Sequence, residues 1–215
     1  GKFNPHAKDI SSLRIVQTAF KIICFIGGIH TTVIGYENIP KDKPVLFIGN
    51  HRGFFDTIIS YSMMPGITGF VAKKESEKVP LLRVWMRYLH CLFLDRANIK
   101  EGLKTILKGI DEVKAGVSMV IFPEGTRNKG DGIMPFKEGS FKIAEKSGCL
   151  IIPMVQNNTS AAFEDHFPFI RRTHTIIEFG TPIDLTTLSK EDRKAIGAYT
   201  HSIMLKMYEK NQSLV

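Results

Sequence analysis

Val45-Leu46-Phe47-Ile48-Gly49-Asn50-His51-Arg52-Gly53-Phe54-Phe55-Asp56 decides how this chain folds. Five uncharged residues, four of them large and apolar, run into a polar turn with a glycine and then into an aspartate that heads the helical pattern 56–64. A short apolar run without polar alternation reads as a strand buried on both faces, as in a parallel sheet. Aspartate is a favoured N-cap, so Asp56 is expected to open the helix, with Gly53 permitting the bend before it. The same pattern recurs along the chain. Strands are predicted at 31–36, 67–72, 91–94, 118–122, 150–155 and 173–179, and helices at 79–90, 99–114, 139–147 and 189–210. Strands alternating with helices predict an α/β fold: a single domain with a mostly parallel or mixed sheet flanked by helices. In such sheets ligands bind beyond the carboxyl ends of the strands.

A further helix is predicted over residues 10–26, ahead of the first strand. Ser11, Arg14, Thr18 and Lys21 fall on one narrow polar stripe. Leu13, Val16, Phe20 and Ile23 lie opposite, and Ala19, Ile22 and Phe25 widen the apolar face. Such a face suits an amphipathic segment lying in a membrane interface, or one packed on the core. Residues 1–30 are therefore read as an N-terminal membrane-interface helical segment and 31–215 as the α/β domain proper. In the helix 99–114, Ile99, Leu103, Ile106, Ile110 and Val113 are expected to form the core face.

The chain of 215 residues carries 29 Lys and Arg against 21 Asp and Glu, for a net charge of +8. That excess favours anionic partners such as phosphate substrates or acidic lipids. Cys24, Cys91 and Cys149 are isolated, so neither a disulfide framework nor a zinc site is expected. No run approaches the ~20 apolar residues that span a bilayer. The chain begins at Gly1 rather than Met, which leaves open an N-terminal membrane anchor upstream of it.

Two strings carry chemistry. His51 and Asp56 straddle the strand-to-helix turn, where a carboxylate can fix one imidazole nitrogen and leave the other to accept a proton. Some seventy residues on, Phe122-Pro123-Glu124-Gly125-Thr126-Arg127 leaves another strand. Its arginine offers a planar fork for phosphate, and its glycine allows an unusual backbone angle. Gly130, Gly132, Pro135 and Gly139 continue a loop that reads as a flexible lid or clamp.

Together these strings resemble the hallmark blocks of the glycerolipid acyltransferases, in the form found in lysophosphatidate (1-acyl-sn-glycerol-3-phosphate) acyltransferases. The His-x4-Asp block is matched at His51 and Asp56, and the Phe-Pro-Glu-Gly-Thr-Arg block at Phe122 to Arg127 without substitution. Between them, Lys73, Pro80 and Leu94-Asp95-Arg96 fit the family's basic residue, proline and late Asp-Arg. Ile151-Ile152-Pro153 and Phe136 to Phe141 fit later segments, so the resemblance covers roughly residues 35–185.

The resemblance implies transfer of an acyl chain from acyl-CoA or acyl carrier protein to the free hydroxyl of lysophosphatidate, giving phosphatidate. By it, His51 is the general base and Asp56 its orienter. Arg127 and Lys73, with Arg96, bind phosphate, while Glu124, Gly125 and Thr126 shape the acceptor site. No metal and no cofactor beyond the acyl thioester are implied. The expected partners are lysophosphatidate, the thioester and an anionic membrane surface, with acyl carrier protein as the other donor and no nucleic acid. The expected place is a membrane, with the active site facing the cytoplasm. Glycerol 3-phosphate or another lysophospholipid is the rival acceptor within the family. A hydrolase is disfavoured because the chain has no G-x-S-x-G elbow. A non-catalytic basic membrane-binding module would explain the +8 charge and stripes such as Lys100, Lys104 and Lys108, but not His51, Asp56 and Glu124.

Overall fold

The structure, a computed structural model, describes residues 5–215. The chain runs α1 (Pro5–Ile26), β1 (Ile29–Ile34), β2 (Val45–Gly49), α2 (Phe54–Ser62), β3 (Thr68–Lys73), α3 (Pro80–Tyr88) and β4 (Leu92–Leu94). It continues through α4 (Ile99–Lys114), β5 (Ser118–Ile121), α5 (Lys142–Ser147), β6 (Leu150–Asn157), β7 (Thr173–Phe179), α6 (Lys190–Lys194) and α7 (Ile196–Gln212). The strands form one seven-stranded sheet in the order β1-β7-β6-β2-β5-β3-β4. Every neighbouring pair is parallel except β6 and β7. Five strands therefore run one way, and β1 with β7 runs the other.

The apolar run Val45–Ile48 lies in the middle of the sheet and is fully enclosed. Side chains alternate across a strand, so Val45 and Phe47 face one layer and Leu46 and Ile48 the other. The first layer is α1 and α2, contributing Leu13, Phe55, Ile58, Ile59 and Tyr61. The second is α4, α5 and α7, contributing Ile110, Val113, Ile143 and Met204. Each fully buried side chain of this kind stabilises the fold by roughly 1.5–3 kcal/mol. The class is the α/β arrangement that the strand-helix alternation predicts.

Several local expectations are corrected. The first helix already runs from Pro5, the first described residue, five residues before the predicted start. It packs on α2 through Leu13 and an edge-on contact of Phe20 with Tyr61 at 5.9 Å. The residues expected to widen its apolar face, Ala19, Ile22 and Phe25, are exposed, as the membrane-interface alternative allows, and so are Ile15 and Ile26. Gln17 donates to the Tyr61 and Met64 carbonyls at the end of α2. Along α4 the predicted core face holds at Ile110 and Val113, which are buried, and at Ile106, which packs against the core, but not in the first turns, where Ile99 and Leu103 are exposed; Thr105 and Gly109 are buried besides. Gly109 permits the close approach, since a Cβ there would stand 2.7 Å from Ile143. The last predicted helix is broken at Ala195, where the Gly197 N–H turns to the Glu138 carboxylate at 3.2 Å. Among the described residues no helix is long and apolar enough to cross a membrane.

Candidate active site

The strands β6, β2, β5, β3 and β4 bring their carboxyl ends to one edge of the sheet. Those ends and the loops leaving them carry, in the same order, Thr159, His51, Glu124 to Arg127, Lys73 and Arg96. Parallel pairing thus converts residues far apart in sequence into one row.

At its centre His51 Nδ1 meets Asp56 Oδ2 at 2.8 Å. A carboxylate only accepts hydrogen bonds, so this contact places the proton on Nδ1 and leaves the Nε2 lone pair available. Asp56 is not the N-cap of α2; Gly53 is, and Asp56 sits three residues inside the helix. From there its carboxylate accepts the Arg52 and Gly53 N–H groups at 2.6 and 2.7 Å. The Thr159 hydroxyl donates to the other oxygen. With no exposed surface and four donors, Asp56 cannot turn away from the imidazole. The His51 ring also stacks on Phe122, 4.4 Å between centroids and 12° from parallel. Its side chain retains 19% exposure, enough for a substrate to reach. Asn50 fixes the approach to it, because its side chain pairs with both backbone groups of Gln156 on β6 at 2.7 and 2.9 Å.

Glu124 lies behind this pair. Its oxygens accept the His51 N–H at 2.7 Å and the Met134 N–H at 3.1 Å. Burial raises its pKa, and these two donors oppose that rise. Gly125 has φ +76°, a left-handed angle, and a Cβ there would meet Lys137 Nζ at 2.7 Å. Neither Glu124 nor Gly125 lines the groove described below; both shape the turn that carries Thr126 and Arg127. The loop predicted as a lid or clamp is tethered at its start. Asn128 N–H binds the His51 carbonyl at 2.7 Å, and the Asn128 side chain binds Gly130 and Gly132.

A groove of about 1420 Å³ opens in front of His51. Drug-sized ligands occupy some 300–1,000 Å³, so this one suits a longer guest. Its mouth holds Arg52, Lys73, Arg96, Thr126, Arg127 and Lys129. Partial desolvation lowers the pKa of Arg96, which nearby Glu75 partly offsets. Lys73 pairs with Glu75 at 3.1 Å, and Arg127 with Glu164 at 3.0 Å. Beyond the mouth the lining is apolar: Ile15, Val16 and Phe20 from α1, Ile58 from α2, and Leu82, Trp85, Met86 and Leu89 from α3. Cys91 also lines it, but burial pushes that thiol up to about 12, too high for it to supply a thiolate nucleophile. Among the described residues no cluster of His, Cys, Asp or Glu could hold a metal ion.

The structure therefore brings His51, Lys73, Arg96, Thr126 and Arg127 to one groove and sets Asp56, Glu124 and Gly125 behind it. The sequence reading missed Thr159, Asn50 and Glu164. Thr159 looks like part of an unremarkable Asn-Asn-Thr string, and only the parallel pairing of β6 with β2 places it on Asp56.

A family model described as Acyltransferase matches residues 30–157. A 1-acyl-sn-glycerol-3-phosphate acyltransferase of Borreliella burgdorferi is 29% identical over 92% of this chain and 79% of its own length. Proteins of that name from Haemophilus influenzae and Saccharomyces cerevisiae are 32% and 31% identical. The matches cover 79% and 85% of this chain, and 72% and 60% of those relatives. The crystal structure of the 1-acyl-sn-glycerophosphate (LPA) acyltransferase PlsC from Thermotoga maritima superposes with a TM-score of 0.82. At 24% identity, over 93% of this chain and 79% of that one, it bears on the fold.

Proposed function

The chain belongs to the acyltransferase family, and from that premise we propose that it moves a fatty acyl chain from a thioester to the free hydroxyl of lysophosphatidate, giving phosphatidate. The observation that carries this reading is the His51–Asp56 pair at the mouth of a long apolar groove rimmed by cations.

In this reading His51 Nε2 takes the proton of the acceptor hydroxyl as the oxygen attacks the thioester carbonyl. Asp56 holds the ring and balances the imidazolium that forms. The thiolate of the donor leaves and takes up the proton that His51 gained. A thioester is already electrophilic, so no acyl-enzyme is required. General-base assistance supplies ~10²–10⁴-fold, and positioning in the groove supplies more. Arg127, with Lys73 and Arg96, receives the phosphate, and the apolar lining from α1 and α3 receives the acyl chain. Acyl-CoA and acyl carrier protein both fit as donors.

The same reading places the molecule on a membrane surface. Phe25, Ile26, Leu81, Phe167 and Phe169 are all largely exposed and belong to segments at the edge of the sheet that carries the groove mouth. Exposed apolar groups of this kind, beside cations, favour contact with an anionic bilayer. The test is product analysis by mass spectrometry, with lysophosphatidate, glycerol 3-phosphate and lysophosphatidylcholine competing for one acyl thioester. Phosphatidate is expected as the main product. Preferential acylation of either rival would reassign the acceptor, and free fatty acid alone would replace acyl transfer with hydrolysis.

A further inference from the structure

Glu164 stands where an anion from outside the protein is expected. It belongs to the short helical turn Glu164–His166 in the connection between β6 and β7. Its Oε1 accepts the Phe54 N–H, the first of α2, at 2.7 Å and Arg127 Nη1 at 3.0 Å. Its Oε2 is buried without a hydrogen-bond partner among the described residues. A carboxylate kept for stability would be expected to have both oxygens satisfied, since leaving one buried and bare is costly. The fit also needs Gly53, where a Cβ would stand 2.4 Å from Oε2. Gly53 is extended, at φ −157°, so any residue could adopt its backbone angle. What glycine provides there is room for the carboxylate, not a bend. Glu164, Arg127 and His51 line the same groove.

We propose that Glu164 is a built-in stand-in for the acceptor's phosphate, a gate that occupies Arg127 in the empty enzyme and is displaced by a phosphate monoester. This rests on the reading that Arg127 receives the acceptor's phosphate. A monoester carries about −1.5 to −2 charges and three terminal oxygens, against one charge and two oxygens for Glu164. It can also grip the guanidinium with two parallel hydrogen bonds. A phosphodiester headgroup carries a single charge and has less to offer in exchange. The gate thus works against the wrong acceptor as well as for the right one, which is how discrimination is gained beyond affinity alone. With Arg127 covered, the cationic mouth is also less open to stray monovalent anions.

Glu164→Gln tests this directly, because it keeps the shape and the acceptor for Phe54 N–H but removes the charge. The probes are inorganic phosphate, as inhibitor and by calorimetric binding, and the KM values for lysophosphatidate and for the thioester. The gate predicts that phosphate binding tightens and acceptor KM falls, each by about fivefold, the scale of a partly exposed ion pair, with donor KM unchanged. It also predicts a smaller preference for monoester over phosphodiester acceptors. If Glu164 merely positions Arg127, the variant raises acceptor KM and weakens phosphate binding, and the proposal is overturned. Unchanged phosphate binding overturns it too. Glu164→Ala must move in the same direction as Glu164→Gln. Failure of the wild type to acylate lysophosphatidate would sink the proposed function, while the calorimetric comparison would still decide the gate.

Discussion

The two ends of the groove are built by opposite means. Behind the mouth, Asp56, Glu124 and Asn50 are almost wholly buried, and each is held by two or more hydrogen bonds to its own loop or to a neighbouring strand. Along the walls, α1 and α3 offer apolar side chains and leave many of them exposed. The mouth needs one geometry, because a general base must meet its proton within hydrogen-bond reach. The walls need only an oily, adaptable surface for a chain with no polar features. Rigidity is concentrated where bonds change, and loose packing where length has to be accommodated.

The sharpest way to break that contrast is His51→Ala. It is expected to lower kcat by about 10²–10⁴-fold while leaving vesicle binding intact. Unchanged turnover would remove His51 as the base. Thr159→Val takes one donor from a buried carboxylate and leaves an unmatched oxygen. Thermal unfolding should register a loss of about 1.5–3 kcal/mol, with kcat falling alongside. No change in either would make the Thr159 contact incidental.

At the exposed end of α1, outside the groove, the sign of the outcome reverses. Phe25→Ser with Ile26→Ser removes two exposed side chains that support no core. Stability should hold while the dissociation constant from phosphatidylglycerol vesicles, read by sedimentation, rises about tenfold, or 1.4 kcal/mol. Lost stability with unchanged vesicle binding would assign those residues to packing instead.

The smallest effect concerns Glu124. Burial raises its pKa in the folded state, so between that value and the ordinary 4.5 the folded protein binds more protons than the unfolded chain. Its charge is a cost to stability that is complete above the folded pKa and fades as pH falls toward 4.5. Glu124→Gln has no such titration. The melting temperature of wild type relative to this variant should therefore rise as pH is lowered from 7 toward 4.5. A flat or falling difference would contradict the cause given for the shift.

The strands were legible because parallel strands buried on both faces are written as unbroken apolar runs, as at Val45–Ile48 and Ile151–Ile152. Side-chain orientation was less so. Of the α4 stripe Ile99, Leu103, Ile106, Ile110 and Val113, the later three meet the core as read, whereas Ile99 and Leu103 stay exposed and nothing in their spacing marks the difference. At the site, His51 and Asp56 are five residues apart and could be paired on paper. Thr159 and Glu164 could not, since each acts across more than a hundred residues and depends on which strand lies beside β2. Sheet order is a tertiary property that local pattern does not encode.

The backward run of β1 and β7 has one more consequence. It returns the end of α1 and the whole β6–β7 connection to the pole where the five other strands finish. On the proposed reading, Phe25, Ile26, Phe167 and Phe169 then face the same leaflet as the reactive imidazole. A lysolipid can slide in sideways and its product slide back, with neither tail nor headgroup having to traverse bulk water.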